Sequence, residues 1–175
     1  PHALPHTGLF GVFLGVHAVG DVLNVLHTGV GCKGKTQRQI VHHDLGLEAH
    51  AKVGWTELDE TELIKDSETP LLNSLGELYR RRKPAAILVT ASAAVEFSGL
   101  DLARLEEKAS QEVPCPIRVI PRAAFEEDLW AGYAGVIRGI LEMVPWEKSA
   151  SDEPLLSLVG YFFHRHEMEQ AANLA

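Results

Sequence analysis

Two cysteines in 175 residues are too few to staple a fold together, so a disulfide scaffold is excluded. The simplest setting for such a chain is reducing and cytoplasmic. Basic residues are also scarce, 16 against 24 acids, for a formal charge of −8. A nucleic-acid binder needs a basic face, and this balance argues against one. The basic run Arg80-Arg81-Arg82-Lys83 falls at an expected helix end, where cations complement the helix dipole. No apolar run is long enough to span a bilayer: Leu9–Val19 is short and interrupted by glycines and His17. No secretory signal is visible, and no membrane role is expected. Initiator methionine is missing too. The chain opens at Pro1 and stops at Ala175 inside a helical pattern, as expected of a piece of a longer polypeptide.

What is present is ordinary globular material, 46% hydrophobic and 23% charged, with mean hydropathy near zero. Gly8–Val19 is apolar on nearly all sides and predicts a buried helix. Asp21–His27 predicts a strand, Thr28–Gly34 a glycine-rich loop, and Thr36–His43 the opening of a helix. Gly54–Thr56 reads as a short extended piece, and the acidic stretch Glu57–Asp66 as a turn or helix start. Thr69-Pro70 has the form of a cap followed by proline at the first helical position. Leu71, Leu72, Leu75, Leu78 and Tyr79 then recur at helical spacing. Ala85–Thr90 reads as a parallel strand buried on both faces. A helix over Leu102–Glu112, a strand over Ile117–Ile120 and a long helix from Leu129 follow.

Trp146–Pro154 is polar and reads as a linker, Leu155–Tyr161 as a new strand and Arg165–Ala175 as a new helix. This alternation predicts an α/β fold, a Rossmann-like parallel sheet flanked by helices. The expected organisation is a domain over 1–145, a linker over 146–154, and the start of a second, similar domain over 155–175.

The stretch with most chemistry is His27-Thr28-Gly29-Val30-Gly31-Cys32-Lys33-Gly34-Lys35-Thr36. It leaves a strand at the sheet edge where α/β ligand sites gather. One reading is a phosphate loop, since Gly29-x4-Gly34-Lys35-Thr36 fits the pattern: backbone N–H groups around phosphates, Lys35 on the outer phosphates, Thr36 on magnesium. No later strand ends in the acid that such a magnesium site needs. A second reading takes Cys32 as a metal ligand, with Gly29 and Gly31 leaving room for a bulky cluster. Iron–sulfur clusters usually take four thiolates, so this reading requires ligands from another chain. A third takes Cys32 as a small apolar residue without chemistry.

The chain resembles the N-terminal domain of a subunit of the nitrogenase component 1-type oxidoreductases. The resemblance lies in the order of Thr7-x-x-x-Gly11, Gly29-Val30-Gly31-Cys32, Trp55–Ile64, Pro84–Thr90 with Glu96-x-x-Gly99-x-Asp101, Pro114–Pro121, Gly132-Tyr133 and Leu158-Val159-Gly160. Members with a full ligand set carry three cysteines per subunit. Here Thr7 and Ala93 stand at the first and third of these positions, and Cys32 matches the second. Cys115 matches none and is read as structural.

The resemblance therefore implies a subunit that donates one ligand to a 4Fe–4S cluster shared with a homologous three-cysteine subunit. It also implies an ATP-dependent iron protein as electron donor, with the phosphate-loop spacing fortuitous. The implied activity is that of a nitrogenase-like oxidoreductase subunit, passing electrons to a substrate or metallocofactor. A P-loop nucleotide-binding enzyme and a non-catalytic pairing or scaffold subunit remain the alternatives.

Other residues weigh towards structure. His42, His43, His50, His164 and His166 read as polar turn residues; the alternative for His42 and His43 is a substrate cavity, with His2, His6 and His17 as candidates to line the same cleft. Asp101 is expected to cap the helix that follows it. Glu96 is a candidate for orienting the Cys32 loop or meeting a donor protein. The acidic run Glu57–Asp66 is either a solvated face or a patch for a basic partner. Phe10, Phe13 and Leu14 are expected at the core or, preferentially, at a subunit interface.

Overall fold

The computed structural model describes residues 7–42, 52–121 and 128–145, with 170 and 173 beyond them. The chain divides into compact units over 1–143 and 144–175, and the fold below is that of the first. The expected linker, second strand and second helix fall almost entirely outside the described residues.

Helix α1 (Gly8–His17) leads into β1 (Val22–His27), α2 (Val30–His42) and β2 (Val53–Trp55). Two helices follow, α3 (Glu60–Lys65) and α4 (Glu68–Arg82), then β3 (Ala86–Ala91). The unit continues through α5 (Ala93–Phe97), α6 (Leu102–Glu112), β4 (Ile117–Ile120) and α7 (Leu129–Met143). The strands form one parallel sheet in the order β2-β1-β3-β4. Every residue of β1 and β3 is buried, as apolar strands covered on both faces must be. On one face Val22, Leu88 and Ile120 pack under Val12 and Val16 of α1 and Val136 of α7. On the other, Val25, Ile87, Val89, Ile117 and Val119 pack under Leu71 and Leu75 of α4 and Leu105 and Ala109 of α6. This is the expected α/β architecture.

Phe10, Phe13 and Leu14 are buried within the chain, which corrects the preference for an interface. The physical reason is a close helix crossing: α1 and α7 meet backbone to backbone at Gly11 and Gly132, which pulls the aromatic flank of α1 into the interior. The start of α4 also differs from expectation. The helix begins at Glu68 with Ser67 as its N-cap, and the side-chain bond to its first turn comes from Asp66 one residue earlier, whose Oδ1 accepts from the Thr69 N–H at 3.0 Å. Pro70 thus sits in the first turn, where a missing N–H costs little. Arg80, Arg81 and Arg82 fill the last turn, as their charge requires. Asp101 caps α6 as expected, accepting from the Arg104 N–H at 3.1 Å.

Candidate functional site

The sheet order makes β1 and β3 neighbours while β2 lies on the far side of β1. The chain therefore leaves β1 in one direction and β3 in the other, which makes their C-terminal ends a topological switch point, where ligand sites of open α/β folds gather. Three connections meet at that edge of the sheet: Thr28-Gly29 into α2, Thr56–Asp59 into α3, and Ser92 into α5.

The β1–α2 connection is shorter than its glycines suggest. Helix α2 begins at Val30, so Cys32 lies in its first turn and Lys33, Gly34, Lys35 and Thr36 lie inside the helix rather than in or just after a loop. A contact from elsewhere in the chain sets this start. Leu58 N–H donates to Thr28 O at 2.8 Å, and Val30 N–H donates to Leu58 O at 3.2 Å, forming an isolated parallel bridge. Cys32 N–H then donates to Gly29 O at 3.1 Å. Space around Gly31 and Gly34 is open: beyond their chain neighbours and the helix's own backbone, nothing lies within 4 Å of where a Cβ would stand. The helix start is bare on that side, and the Cys32 side chain is exposed there.

That geometry bears on the phosphate-loop spacing. Residues Val30 to Lys35 are helical and form no concave cradle of N–H groups. Thr36 is buried, and its hydroxyl bonds with Cys32 O and Lys33 O, each at 3.0 Å, while accepting from Trp55 Nε1 at 3.1 Å. It faces the protein, not a magnesium ion. Lys35 is exposed on the second turn.

The other two family positions also lie at helix starts. Thr7 is the N-cap of α1, with Oγ1 accepting from the Phe10 N–H at 3.4 Å. Ala93 is the first residue of α5, directly after β3 and Ser92. Cys32 and Ala93 thus follow the adjacent ends of β1 and β3, where Ser92 N–H donates to His27 O at 2.9 Å. Glu96 is half-buried in α5, its N–H donating to Ser92 O. Cys115 is buried before β4, and burial pushes its thiol up, as befits a structural residue. Among the described residues no group of three or more His, Cys, Asp or Glu is placed to hold a metal ion. His2, His6, His43, His50, His164, His166 and the side chain of His42 lie outside the described residues. His17 is half-buried in the last turn of α1.

Sequence reasoning missed the polar cluster beneath this edge. His27, the last residue of β1, is fully buried. Burial lowers its pKa to about 4, opposed in part by the Ser67 backbone. Its Nδ1 is hydrogen-bonded to Thr56 Oγ1 at 3.0 Å. Thr56 Oγ1 also accepts from Thr28 N–H at 2.9 Å and lies 3.1 Å from Thr28 O. Beside it, Glu57 adopts a left-handed conformation, φ 58°, and its carboxylate pairs with Lys33. The available signal was a histidine closing a mostly apolar strand just before Thr-Gly.

A four-stranded parallel sheet flanked by helices, with a topological switch point between β1 and β3, places the chain among the open α/β folds. The match is more specific. The profile of the nitrogenase component 1 type oxidoreductases covers residues 7–175, and the chain belongs to that family. It is 26% identical over 117 residues to the nitrogenase molybdenum-iron protein alpha chain of Clostridium pasteurianum, covering 64% of this chain and 22% of that protein. It is 23% identical over 138 residues to the nitrogenase iron-molybdenum cofactor biosynthesis protein NifE of Methanosarcina barkeri, covering 79% of this chain and 29% of that one. The chain thus spans less than a third of the length of these curated relatives. A solved chain of nitrogenase Cp1 at pH 6.5 superposes with a TM-score of 0.68 at 13% identity, covering 87% of this chain and 34% of the other. At that identity the likeness speaks for the fold alone.

Proposed function

We propose that this chain is one subunit of a nitrogenase-like, multi-subunit reductase, in which Cys32 donates a single thiolate to a 4Fe–4S cluster completed by a three-cysteine partner subunit. The observation that carries this reading is the exposed Cys32 side chain in the first turn of α2, beside the switch point, with Thr7 and Ala93 at the other two family positions. Threonine and alanine leave this chain one soft donor, so the residues present fit a shared cluster and not a cluster of its own. When bound, such a cluster relays single electrons. The chain's own contribution is to fix one ligand, leave the backbone at Gly31 open beside it while Gly29 is held against Leu58, and shape the surface around it.

Electron supply falls to an ATP-dependent iron protein. Helix α3 is the candidate meeting surface: Ile64 is 82% exposed among Glu60, Glu62 and Asp66, a pattern that suits an apolar contact ringed by basic groups. No helix among the described residues is long and apolar enough to cross a membrane. The proposal includes the domain scheme, 1–145 carrying Cys32 and a second domain beginning after the 146–154 linker.

Iron and sulfide analysis of the co-purified complex tests the assignment. Cys32→Ala is expected to remove or alter the shared cluster while circular dichroism stays native. Unchanged cluster spectra in that variant, with the partner present, refute the role of Cys32. Lys35→Ala is expected to leave nucleotide binding to this chain unchanged, since α2 forms no phosphate cradle. The likeness to a cofactor biosynthesis protein favours one further reading, a pairing or scaffold subunit with Cys32 idle. A complex without iron or sulfide supports it.

A further inference from the structure

Helix α7 carries one arginine and one glutamate among its 15 residues. So apolar a helix is stable when most of its circumference is covered. Its inner side is covered: Gly132 lies against Gly8 of α1, Val136 against Gly15, and Gly139 against Leu88 of β3. The outer side is not. Trp130 and Leu141 are 43% and 45% exposed, and Ala134 and Ile137 between them are half-buried. The spacing of these four residues alternates between four and three, which lines them up along the helix with the period of a helix-pairing seam. Ala131 and Ala134 also border an open cavity of about 310 Å³ between α7 and β4, so the far flank of the stripe is low and accessible. Arg138 is exposed on that flank and makes no ion pair among the described residues.

We propose that this stripe is an interface between two copies of the chain, with their α7 helices antiparallel about a two-fold axis near Gly135 and Val136. The pattern selects both the occupant and the direction. In the antiparallel register Trp130 meets Leu141 of the second copy and Ala134 meets its Ile137, so the central layers each set a large side chain on a small one. A parallel copy sets Trp130 on Trp130 and Ala134 on Ala134, a clash beside a hole, which close packing disfavours. Charge agrees with shape. The antiparallel register carries Arg138 over the small Ala131 of the second copy towards its Asp128, the exposed acid that precedes α7. The two-fold repeats that pair, and the two helix dipoles oppose each other. Four residues a side bury less than the roughly 1,000 Å² of a durable interface, so the dimer is weak and reversible. None of this depends on Cys32 holding a metal.

The test is sedimentation equilibrium of the 175-residue chain, which is expected to show a reversible monomer–dimer equilibrium. Leu141→Glu and, independently, Ala134→Glu are expected to raise the dissociation constant at least about tenfold, since each buries an unpaired charge in the seam. Circular dichroism stays native in both, because these positions lie on the outer side. Ile64→Glu, at an exposed apolar residue of α3, leaves the dimer alone. Added salt weakens the native dimer and hardly affects the Arg138→Gln dimer, because the charge pair is the screened part. Direction is read by a short bismaleimide in a Cys32→Ala background, where Cys115 is buried. Chains with Ala134→Cys are mixed with chains with Ile137→Cys, and the mixed product is expected to dominate over either self-linked one. A chain that is monomeric at every concentration leaves the stripe to a different polypeptide and overturns the proposal. A dimer that survives both glutamates, or that Ile64→Glu weakens equally, also overturns it, and an excess of self-linked Ala134→Cys product overturns the antiparallel register.

Discussion

A Cβ added to Gly132 would stand 1.8 Å from the carbonyl oxygen of Gly8. The reciprocal contact is as tight, a Cβ on Gly11 lying 1.8 Å from Leu129 O. Helices α1 and α7 therefore touch through their backbones, and both glycines are required by space rather than by conformation. Gly132→Ala or Gly11→Ala is expected to cost about 3 kcal/mol, the upper range for overpacking, read as a lowered urea midpoint at unchanged m-value. Gly76 on α4 has nothing within 4 Å of its missing Cβ, so Gly76→Ala should stabilise by about 1 kcal/mol. Equal effects at Gly76 and Gly132 would contradict the crossing.

Buried His27 ties stability to pH. Its folded pKa of about 4 lies below the unfolded value of 6.5, because burial disfavours the charged ring. Between these values the unfolded chain binds the proton and the folded chain does not. The contribution is thus complete above pH 6.5, is lost as pH falls through the window, and levels off below about 4. The whole step is on the order of 3 kcal/mol. His27→Asn is expected to flatten the pH dependence of unfolding free energy across that window, whatever it does to stability at neutral pH. A slope as steep as that of the native chain would place the titration elsewhere.

Much of the fold was legible because the strands carry unambiguous patterns. Ala86–Ala91 and Val22–His27 are buried on both faces, so nearly every residue is apolar or small, and only a parallel sheet covered twice makes that pattern stable. Asp101 announced α6 through the local chemistry of a cap. The features that were not legible depend on contacts between distant segments. Glycines at 29, 31 and 34 disfavour helix on propensity, yet α2 starts at Val30 because Leu58 bridges to Gly29. The aromatic flank of α1 was misplaced because its partner is a glycine far along the chain. Cys32 itself stood out, but Glu57 did not: nothing in an acidic run marks the residue forced to a positive φ.

The sheet's edge is closed by a side chain. Strand β4 lies at the end of the order, and the Val119 N–H donates to Glu106 Oε2 at 2.7 Å, while Arg118 Nη1 donates to Glu106 Oε1 at 2.8 Å. An unpaired edge N–H invites pairing with another chain, and this carboxylate covers it. Glu106→Ala is expected to cost about 2 kcal/mol and to speed amide exchange at Val119, with Glu106→Gln intermediate because it still accepts. Unaltered exchange at Val119 in the alanine variant would show that the cap does not protect this edge.

Thr36 offers the sharpest separation between a helix that packs and a loop that binds phosphate. Its hydroxyl joins α2 to β2 by accepting from Trp55 Nε1 and bonding to the carbonyls of Cys32 and Lys33. Thr36→Val keeps the shape and removes the polar atom, leaving the indole N–H without this partner. The expected cost is about 1–2 kcal/mol, with a shift in the emission of Trp55. Thr36→Ser should restore most of both, because the bonding atom returns. Magnesium–nucleotide titration should be flat for the native chain and both variants, since the hydroxyl is buried and held by Trp55 Nε1 and the Cys32 and Lys33 carbonyls. Saturable binding that disappears in Thr36→Val and returns in Thr36→Ser would instead assign the hydroxyl to a ligand and overturn the packing role.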